Sequence, residues 1–370
     1  MTRTQPPKLI YLVADDRYFC THRLPLAVAA KQQNFDVHVI SPKSDSSEKI
    51  LHAGLTFHPL SFNRKTLNPF DGIKTILRIY RLYKQLKPDY VHHVAIKPVL
   101  FGTIAAHLAG VPNIVNAVAG LGHVFASRSW LMLPLRMMMR VLLRSPRVQI
   151  IVQNPEDKAE LESLAEKYVY LIYGAGVDTD QFAPSAAALP EGPVIITHAS
   201  RLLWSKGVGE LVAAARILSA QGHSIVVQIV GEPDMQNPDA IPAEILKAWH
   251  NEGVINWLGY QKNIAAIYQR SHMAVLASYY REGIPKTLIE AASVGLPIVT
   301  TDMPGCRIIV KHGVNGLLVS PRDVNALAEA LLKLINDSKM RKDFGAAGRV
   351  LVLRQFSASI IYDQTIALYK

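Results

Sequence analysis

Two cations in the second half of the chain are placed where they suit a phosphorylated ligand. Arg201 and Lys206 lie in the segment SRLLWSKG, which follows a predicted strand and begins a predicted helix. A helix N-terminus presents backbone N–H groups and the positive end of the helix dipole, so an anion binds there readily. The segment therefore predicts a diphosphate site, and the alternative is a pair of solvated surface charges.

Two carboxylates follow in REGIPKTLIEAASVGLPIV, residues 281–299. Glu282 is predicted in a loop after a strand, and Gly283 and Pro285 mark the turn into a helix that carries Glu290. One carboxylate then points from the loop toward a bound group, and the other points from the helix toward a different part of it. Such a pair can bind the vicinal hydroxyls of ribose or a hexose. The alternative is a helix N-terminal charge and an exposed helix glutamate.

The elements that must position these residues alternate between buried strands and helices, which is typical of doubly wound α/β sheets. In such sheets, ligands bind beyond the carboxyl ends of the strands. A segment rich in small residues and proline, 178–193, is predicted to link two such halves. The predicted strands are 9–14, 36–41, 90–94, 113–118, 194–199, 224–230, 273–277 and 297–301. The predicted helices include 22–34, 69–86, 98–108, 206–220, 240–252, 285–294 and 323–335.

The two cations and two glutamates, in this order and spacing, resemble glycosyltransferase family 4, the retaining enzymes of the GT-B fold. TTDMPGCRIIVKHGVNGLLV at 300–319 and GAGVDTDQF at 174–182 are similar to the same family. The resemblance implies an α/β chain with two Rossmann-like domains that face each other across a cleft. We expect an acceptor-binding domain at 1–182 and a nucleotide-sugar-binding domain at 183–355. A C-terminal helix at 356–370 is a candidate to pack back on the first domain.

The resemblance also implies roles for individual residues. Arg201 and Lys206 would bind the donor diphosphate and, with Glu282, form the catalytic set. Glu282 would touch the transferred sugar. The remaining donor contacts would be backbone N–H groups, an apolar contact near the ribose and a carboxylate on the ribose hydroxyls, at Gly283, Ile284, Leu288 and Glu290. No metal site and no cofactor are expected, since the family generally needs no divalent metal.

The first half resembles a subgroup that extends undecaprenyl-diphosphate-linked sugars. The segments that carry this resemblance are DDRYFCTHRLPLA at 15–27, HHVAIKP at 92–98 and NAVAGLGHVF at 116–125. His22 and Arg23 begin a predicted helix, where an anion binds readily. Lys97 follows a strand end and is a candidate partner for an acceptor phosphate. The predicted acceptor-binding residues are Asp16, His22, Arg23 and Lys97.

One position departs from the family pattern. Many members carry a histidine directly before the glycine at position 120, where it contacts the sugar, and this chain has Ala119. His123 follows one turn later, and its alternative role is that of a loop or packing histidine. A mechanism that relies on the family's histidine is therefore in doubt.

The segment RSWLMLPLRMMMRVLLRSPR, residues 128–147, combines a dense apolar run with five arginines. Arg136, Arg140 and Arg144 recur every four residues along one helix face. A basic amphipathic helix with a tryptophan at its end can lie in a bilayer interface, so Arg128 and Trp130 are further candidate membrane contacts. Basic residues at 77–87 would extend this face. The alternative is a buried helix whose arginines face water.

Composition limits the partners. The formal net charge is +11 and the sequence pI is about 9.5, which favours phosphorylated small molecules, anionic lipid or nucleic acid. The chain has no zinc-finger spacing, RNP-type motif or basic tail, so nucleic acid is not expected. Two cysteines without a CxxC pair fit a reducing compartment. Without an apolar stretch long enough to span a bilayer, we expect a cytoplasmic protein on the inner face of the membrane.

The sequence thus predicts a retaining transferase in bacterial surface polysaccharide or glycoprotein glycan assembly. It would move a hexose or N-acetylhexosamine from a nucleotide diphosphate sugar, expected to be UDP-linked, to a lipid-diphosphate-linked saccharide. A transferase with a soluble acceptor and a nucleotide-sugar epimerase are the alternatives. A nonenzymatic nucleotide-sugar binding protein is a third, and the complete set of two cations and two glutamates argues against it.

Overall fold

The computed structural model describes residues 5–61, 69–118, 133–187, 189, 191–235, 237–280 and 283–370, without the side chains of 69, 70 and 133–136. The chain forms two compact units, Met1–Ala175 with Ile361–Lys370, and Gly176–Ile360. The first division thus lies before the predicted boundary at 182. Arg349 explains the difference, because it donates hydrogen bonds to the carbonyl oxygens of Thr179 (3.0 Å) and Phe182 (3.1 Å) and fixes this stretch in the second unit.

In the described part of the first unit, seven strands form one parallel sheet in the order β3-β2-β1-β4-β5-β6-β7. Their centres are apolar, so the strands can be buried on both faces. The strands are β1 (Lys8–Val13), β2 (Asp36–Ser41), β3 (Thr56–Pro59), β4 (Tyr90–Val94), β5 (Asn113–Val118), β6 (Val148–Val152) and β7 (Tyr170–Leu171).

Helices cover both faces of this sheet. One face packs on α4 to α7, and the other packs on α1 to α3 together with residues from the end of the chain, including Ile366 and Tyr369. The helices are α1 (Asp16–His22), α2 (Leu24–Gln32), α3 (Ser47–His52), α4 (Pro69–Leu86), α5 (Ile96–Ala109), α6 (Leu133–Leu143) and α7 (Pro155–Ala165).

The second unit repeats this plan. Six strands of its described residues form a parallel sheet in the order β10-β9-β8-β11-β12-β13. The strands are β8 (Val194–Ala199), β9 (Ile225–Val230), β10 (Asn256–Gly259), β11 (Met273–Leu276), β12 (Ile298–Thr301) and β13 (Gly316–Val319). The helices are α8 (Val208–Ala220), α9 (Ala243–Asn251), α10 (Ile264–Tyr268), α11 (Lys286–Val294), α12 (Pro304–Ile309), α13 (Val324–Asn336), α14 (Ser338–Gln355) and α15 (Ala358–Ile366), whose last residues belong to the first unit.

Both sheets reverse their strand order at their first strand. β1 lies between β2 and β4, and β8 lies between β9 and β11. In open α/β sheets, ligands bind outside the carboxyl ends of the strands at such a switch point. The chain that leaves β8 and β11 is therefore the expected binding region of the second unit, and the chain that leaves β1 and β4 is that of the first.

The helix predicted at 22–34 corresponds to α2, which begins at Leu24 and ends at Gln32, whereas the preceding helix α1 was not predicted. The two helices are separated at Arg23. This residue ends α1 and precedes α2 with φ −128° and ψ −20°, outside the helical region. Pro25 follows in the first turn of α2, where its missing N–H costs nothing. The chain after β1 therefore forms two short helices, and the Arg23 side chain between them is buried, with 4% exposed.

Consecutive histidines on β4 serve opposite faces of the first sheet. Nδ1 of His92 lies 2.5 Å from the hydroxyl of Tyr369, which is 3.1 Å from that of Tyr11. On the other face, His93 contacts the Tyr83 hydroxyl through Nε2 (3.0 Å). Burial lowers the pKa of His93 to about 4, and burial together with the nearby charge of Arg23 holds the pKa of His92 well below its usual range.

The described helices include none that is long and apolar enough to cross a bilayer.

These neutral buried histidines make the first unit sensitive to acid. The unfolded chain binds protons near pH 6.5, whereas folded His93 does so only near pH 4. Stability is therefore full above about pH 6.5 and is lost as the pH falls toward 4, by about 3 kcal/mol for His93. We expect His93→Asn to unfold at lower urea concentration at about pH 8 but to lose less stability on acidification. The control is His52→Gln, at an exposed position. If the stability of His93→Asn falls with pH as steeply as that of the parent, this account is wrong.

Candidate functional site

The chain that leaves β8 forms a tight turn before α8. Trp204–Lys206 is a single 3₁₀ turn, and Gly207 precedes the helix with φ +76°. Backbone N–H groups of this turn are held by the loop after β9, since Trp204 donates to the Asp239 carbonyl oxygen (2.9 Å) and Ser205 donates to its carboxylate (3.0 Å). The turn that carries Lys206 is thus held by two hydrogen bonds to Asp239.

Two glycines permit the strand ends to meet. A Cβ on Gly207 would lie 2.1 Å from the carbonyl oxygen of Ala277, which follows β11. A Cβ on Gly231, which follows β9, would lie 1.9 Å from the carbonyl oxygen of Ser200. Both glycines also have positive φ, which disfavours any other residue. The ends of β8, β9 and β11 therefore converge only because these side chains are absent.

The predicted cations lie at this corner with different exposure. Arg201 keeps 64% of its side chain exposed, and its Nη1 lies 3.1 Å from Oδ2 of Asp234. Lys206 is only 9% exposed. Burial, and then the Lys206 ammonium, lowers the pKa of His198 to about 4, so this buried histidine stays neutral. This corner therefore holds two cations, of which Lys206 is buried and Arg201 is exposed.

The loop after β11 is fastened to the same turn. The carbonyl oxygen of Ser205 accepts hydrogen bonds from the Tyr279 N–H (3.0 Å) and the Ser278 hydroxyl (3.2 Å). Thr301, at the end of β12, donates its hydroxyl to the Ser278 carbonyl oxygen. Glu282 itself lies outside the described residues, but the loop that leads to it is anchored beside Lys206.

Glu290 lies on α11, and 9% of the residue is exposed. Its Oε1 lies 3.1 Å from Nζ of Lys286, a residue that the sequence analysis did not select although the i,i+4 spacing was visible. Burial raises the pKa of Glu290, and Lys286 opposes the rise. Ile284 and Leu288 are 8% and 1% exposed. Gly283 is likewise buried, and the donor contacts of these three residues stay predictions.

The carboxylate of Asp16, a predicted acceptor contact, is hydrogen-bonded within the first unit. Oδ2 accepts hydrogen bonds from the Ser44 N–H (2.9 Å) and the Ser47 hydroxyl (2.7 Å), and Oδ1 accepts one from the Ser44 hydroxyl (2.8 Å). Burial opposes ionisation, but these bonds outweigh it and lower the pKa of Asp16. These bonds hold the chain after β2, and an acceptor contact of Asp16 stays a prediction.

The other predicted acceptor residues are near the switch point of the first sheet but are not one cluster. His22 stacks on Tyr18 with 4.3 Å between ring centres, whereas Arg23 points into the core near Tyr11 and His92. Lys97 is half-buried in the first turn of α5. The preceding Ala95 has φ +76°, a strained value for a residue with a side chain.

The basic segment is described only in part. Ala119, His123, Arg128 and Trp130 lie outside the described residues, as does the side chain of Arg136. Arg140 and Arg144 both pair with Glu166, at the end of α7. Part of the predicted arginine stripe is thus balanced by an acid that is distant in sequence. The exposed face of α6 is also apolar, with Met137 64% and Val141 73% exposed.

No group of three His, Cys, Asp or Glu side chains within the described ranges is placed to hold a metal ion. The second unit instead combines two cations and helix N-termini with a buried carboxylate. This arrangement suits a ligand that carries phosphates at one end and hydroxyls at the other.

Comparisons with known proteins also divide the chain into two parts. Residues 179–351 match the family described as glycosyl transferases group 1, and residues 8–154 match glycosyl transferase 4-like. The chain is 27% identical to the N,N'-diacetylbacillosaminyl-diphospho-undecaprenol alpha-1,3-N-acetylgalactosaminyltransferase of Campylobacter jejuni, over 94% of both chains. It is 24% identical to the UDP-Gal:alpha-D-GlcNAc-diphosphoundecaprenol alpha-1,3-galactosyltransferase of Escherichia coli, over 82% of this chain and 81% of that one.

Solved structures share the fold. A glycosyltransferase from Rickettsia africae superposes with a TM-score of 0.80 at 18% identity, over 100% of this chain and 98% of that one. Anabaena HepE in complex with UDP gives a TM-score of 0.79 at 17% identity, over 97% and 98% of the two chains. Two parallel-sheet α/β units of this kind are the GT-B fold.

Gly207 provides a test of the geometry at the end of β8. Gly207→Ala should lower the free energy of unfolding by about 1–2 kcal/mol because of the positive φ. The overlap with Ala277 should lower it by a further amount of about 1–3 kcal/mol. Gly222→Ala is the matched control, since Gly222 also has positive φ (+82°) but nothing within 4 Å of its Cβ position. Urea unfolding measures both variants. Equal losses would show that the close approach at Gly207 does not exist.

Proposed function

Since this chain belongs to glycosyltransferase family 4 and has the GT-B fold, we propose that it transfers a hexose or N-acetylhexosamine from a UDP-sugar to a lipid-diphosphate-linked saccharide. The observation that carries the proposal is the corner of the second unit where Arg201 and buried Lys206 follow β8 and the loop after β11 leads to Glu290. The two relatives described above act on undecaprenyl-diphosphate-linked sugars, which supports the acceptor class.

On the donor side, Arg201 and Lys206 bind the diphosphate beside the N-terminus of α8. Glu290 accepts hydrogen bonds from the ribose hydroxyls, and Glu282 contacts the transferred sugar. Backbone N–H groups of Gly283 and Ile284 complete the site at the start of α11. UDP is the favoured nucleotide, because it is the one bound to HepE.

We further propose that transfer retains the anomeric configuration and needs no divalent metal. The bond between the sugar C1 and the diphosphate oxygen breaks as C1 bonds to the acceptor oxygen on the same face. The acceptor hydroxyl proton passes to the departing diphosphate. Arg201 and Lys206 stabilise the negative charge that develops on that leaving group, and this preorganised charge takes the part that a metal ion takes in other transferases. Activity should therefore survive removal of metal by a chelator.

The acceptor belongs to the first unit in this proposal. Lys97, at the start of α5, lies beside the switch point between β1 and β4 and suits an acceptor phosphate, and His22 lies after β1. Within a bacterial pathway, the product would be an intermediate of surface polysaccharide or glycoprotein glycan assembly. A soluble acceptor is the alternative outcome.

We also propose that the first unit docks on the anionic inner face of the cytoplasmic membrane through α4 and α6. Both helices pack on the same core through one face and leave the other exposed. On α4, Ile73 (54%) and Leu77 (45%) are exposed among basic residues. These exposed basic residues of α4 are Lys74, Arg78, Arg81 and Lys84. Apolar and basic side chains on one surface are what an anionic bilayer interface attracts.

The decisive experiment is a screen of UDP-sugars against lipid-diphosphate saccharides, with products identified by mass. We expect one donor to extend an undecaprenyl-diphosphate or shorter-chain analogue by a single sugar. Release of UDP without any acceptor, with a changed sugar, would instead show an epimerase. Equal turnover on a free saccharide would favour the soluble-acceptor alternative.

With the donor from that screen, Arg201→Ala and Lys206→Met should each lower kcat by about two to three orders of magnitude, as expected for the loss of one preorganised charge. Arg216→Ala is the control, because Arg216 is likewise exposed and paired with an acid, Glu252 at 2.6 Å, but is not a predicted donor contact. Near-parental turnover in both site variants would show that the diphosphate binds elsewhere.

Membrane docking is tested by flotation with anionic vesicles. We expect the parent to float at about 0.1 M salt and partly release at about 1 M, because the Debye length falls from about 10 Å to about 3 Å. Replacing Arg78, Arg81 and Lys84 by glutamate should reduce flotation and activity on long-chain acceptors but spare short-chain, soluble ones. The control variant has the same change in charge, with glutamate in place of three exposed lysines of the second unit, Lys333, Lys339 and Lys342. Parental flotation of the α4 variant would refute docking through this helix.

A further inference from the structure

Lys286 and Glu290 form an ion pair within the candidate donor site. Nζ of Lys286 lies 3.1 Å from Oε1 of Glu290, one helical turn away on α11. The side chains are 32% and 12% exposed. The carboxylate is thus largely withdrawn from water, and the ammonium is the group that compensates its charge.

The position of Lys286 is a poor one for the helix itself. It is the first residue of α11, where the positive end of the helix dipole repels a cation, and the first turn contains no acid. A lysine that precedes a glutamate by four residues is also the weaker of the two possible orders. Lys286 therefore does little to stabilise the helix, and its effect is on the Glu290 carboxylate that it contacts.

The other titratable groups around Glu290 do not replace this charge. Tyr268, on α10, faces Glu290, but burial raises its pKa and keeps its hydroxyl neutral, bound to Thr287 Oγ1 at 2.5 Å. Arg349, on α14, is turned to the Ser293 carbonyl oxygen (2.8 Å).

The remaining nearby cation on α12 is likewise occupied. Arg307 is paired with Asp302, with 2.8 Å between Nε and Oδ1. Within the described part of the second unit, Lys286 is thus the cation that stabilises the charge on Glu290.

We propose that Lys286 is a positioning residue for nucleotide binding, which holds the Glu290 carboxylate ionised and oriented to accept the two ribose hydroxyls. The inference rests on the proposed role of Glu290. A carboxylate offers about four lone-pair positions, so one bond to Lys286 leaves enough for both hydroxyls. A protonated carboxyl would become a donor on one oxygen and lose that match. Because burial raises the pKa of Glu290 while Lys286 lowers it, loss of the lysine favours the protonated form.

The test is calorimetry of UDP binding to Lys286→Met across a pH series. UDP itself titrates, so each affinity is divided by that of the parent at the same pH. We expect a ratio within about three-fold near pH 8 and a loss of about ten-fold near pH 6. Lys286→Arg should restore the parental profile, and Lys286→Gln is measured in parallel in case the Met variant does not fold. Lys339→Met is the matched control, since Lys339 also pairs at i,i+4, with Asp343 at 2.7 Å, on the exposed surface.

Glu290→Gln separates this inference from the function on which it rests. We expect Glu290→Gln to weaken UDP binding, and the double variant with Lys286→Met to match Glu290→Gln at every pH. If Glu290→Gln binds UDP like the parent, the proposed ribose contact is wrong. If Glu290→Gln weakens binding but Lys286→Met gives one constant ratio at all pH values, the role of Lys286 is overturned while the ribose contact stands.

Discussion

The geometry of the second unit depends on one close approach, that of Gly207 to the carbonyl oxygen of Ala277. It brings the turn after β8 within hydrogen-bonding distance of the loop after β11, where the Ser205 carbonyl oxygen joins them. This contact positions Lys206, which follows β8, relative to α11, which follows β11 and carries Glu290. Because parallel strands place their carboxyl ends at one edge, the fold needs only this approach to assemble groups that are about 80 residues apart in sequence.

Eight of the thirteen strands in the described residues follow the predicted runs, because a strand buried on both faces is a short apolar run with clear limits. The five that were not predicted are β6 and the edge strands β3, β7, β10 and β13. The runs at β2, β4, β5 and β8 have the bounds that the structure shows. The predicted cations and the helix glutamate also follow the strand ends, since that placement depends on local order alone. The helices were predicted less completely, since α1 was missed and α2 begins at Leu24, beside Pro25, rather than at His22.

Partners that are distant in sequence could not be predicted. The serines that bond to Asp16, for example, come from the chain after β2. The arginines of α6 looked like a free stripe, but Glu166 lies beside two of them. Periodicity identifies the face on which a side chain lies and says nothing of what other elements bring to that face. The pair of Lys286 and Glu290 was different, since its i,i+4 spacing could be recognised in the sequence and only its burial could not.

The last ten residues of the chain belong to the first unit, where Tyr369 meets Tyr11 and His92 beneath the sheet. During synthesis, the N-terminal unit emerges first, and domains generally fold in that order. One face of its sheet is nevertheless only partly covered at first, because α1 to α3 are made early but the C-terminal residues that complete the cover are made only after the second unit. A growing chain therefore carries an incomplete apolar core in its first unit through about half of its own translation, and that core closes only when the last residues arrive.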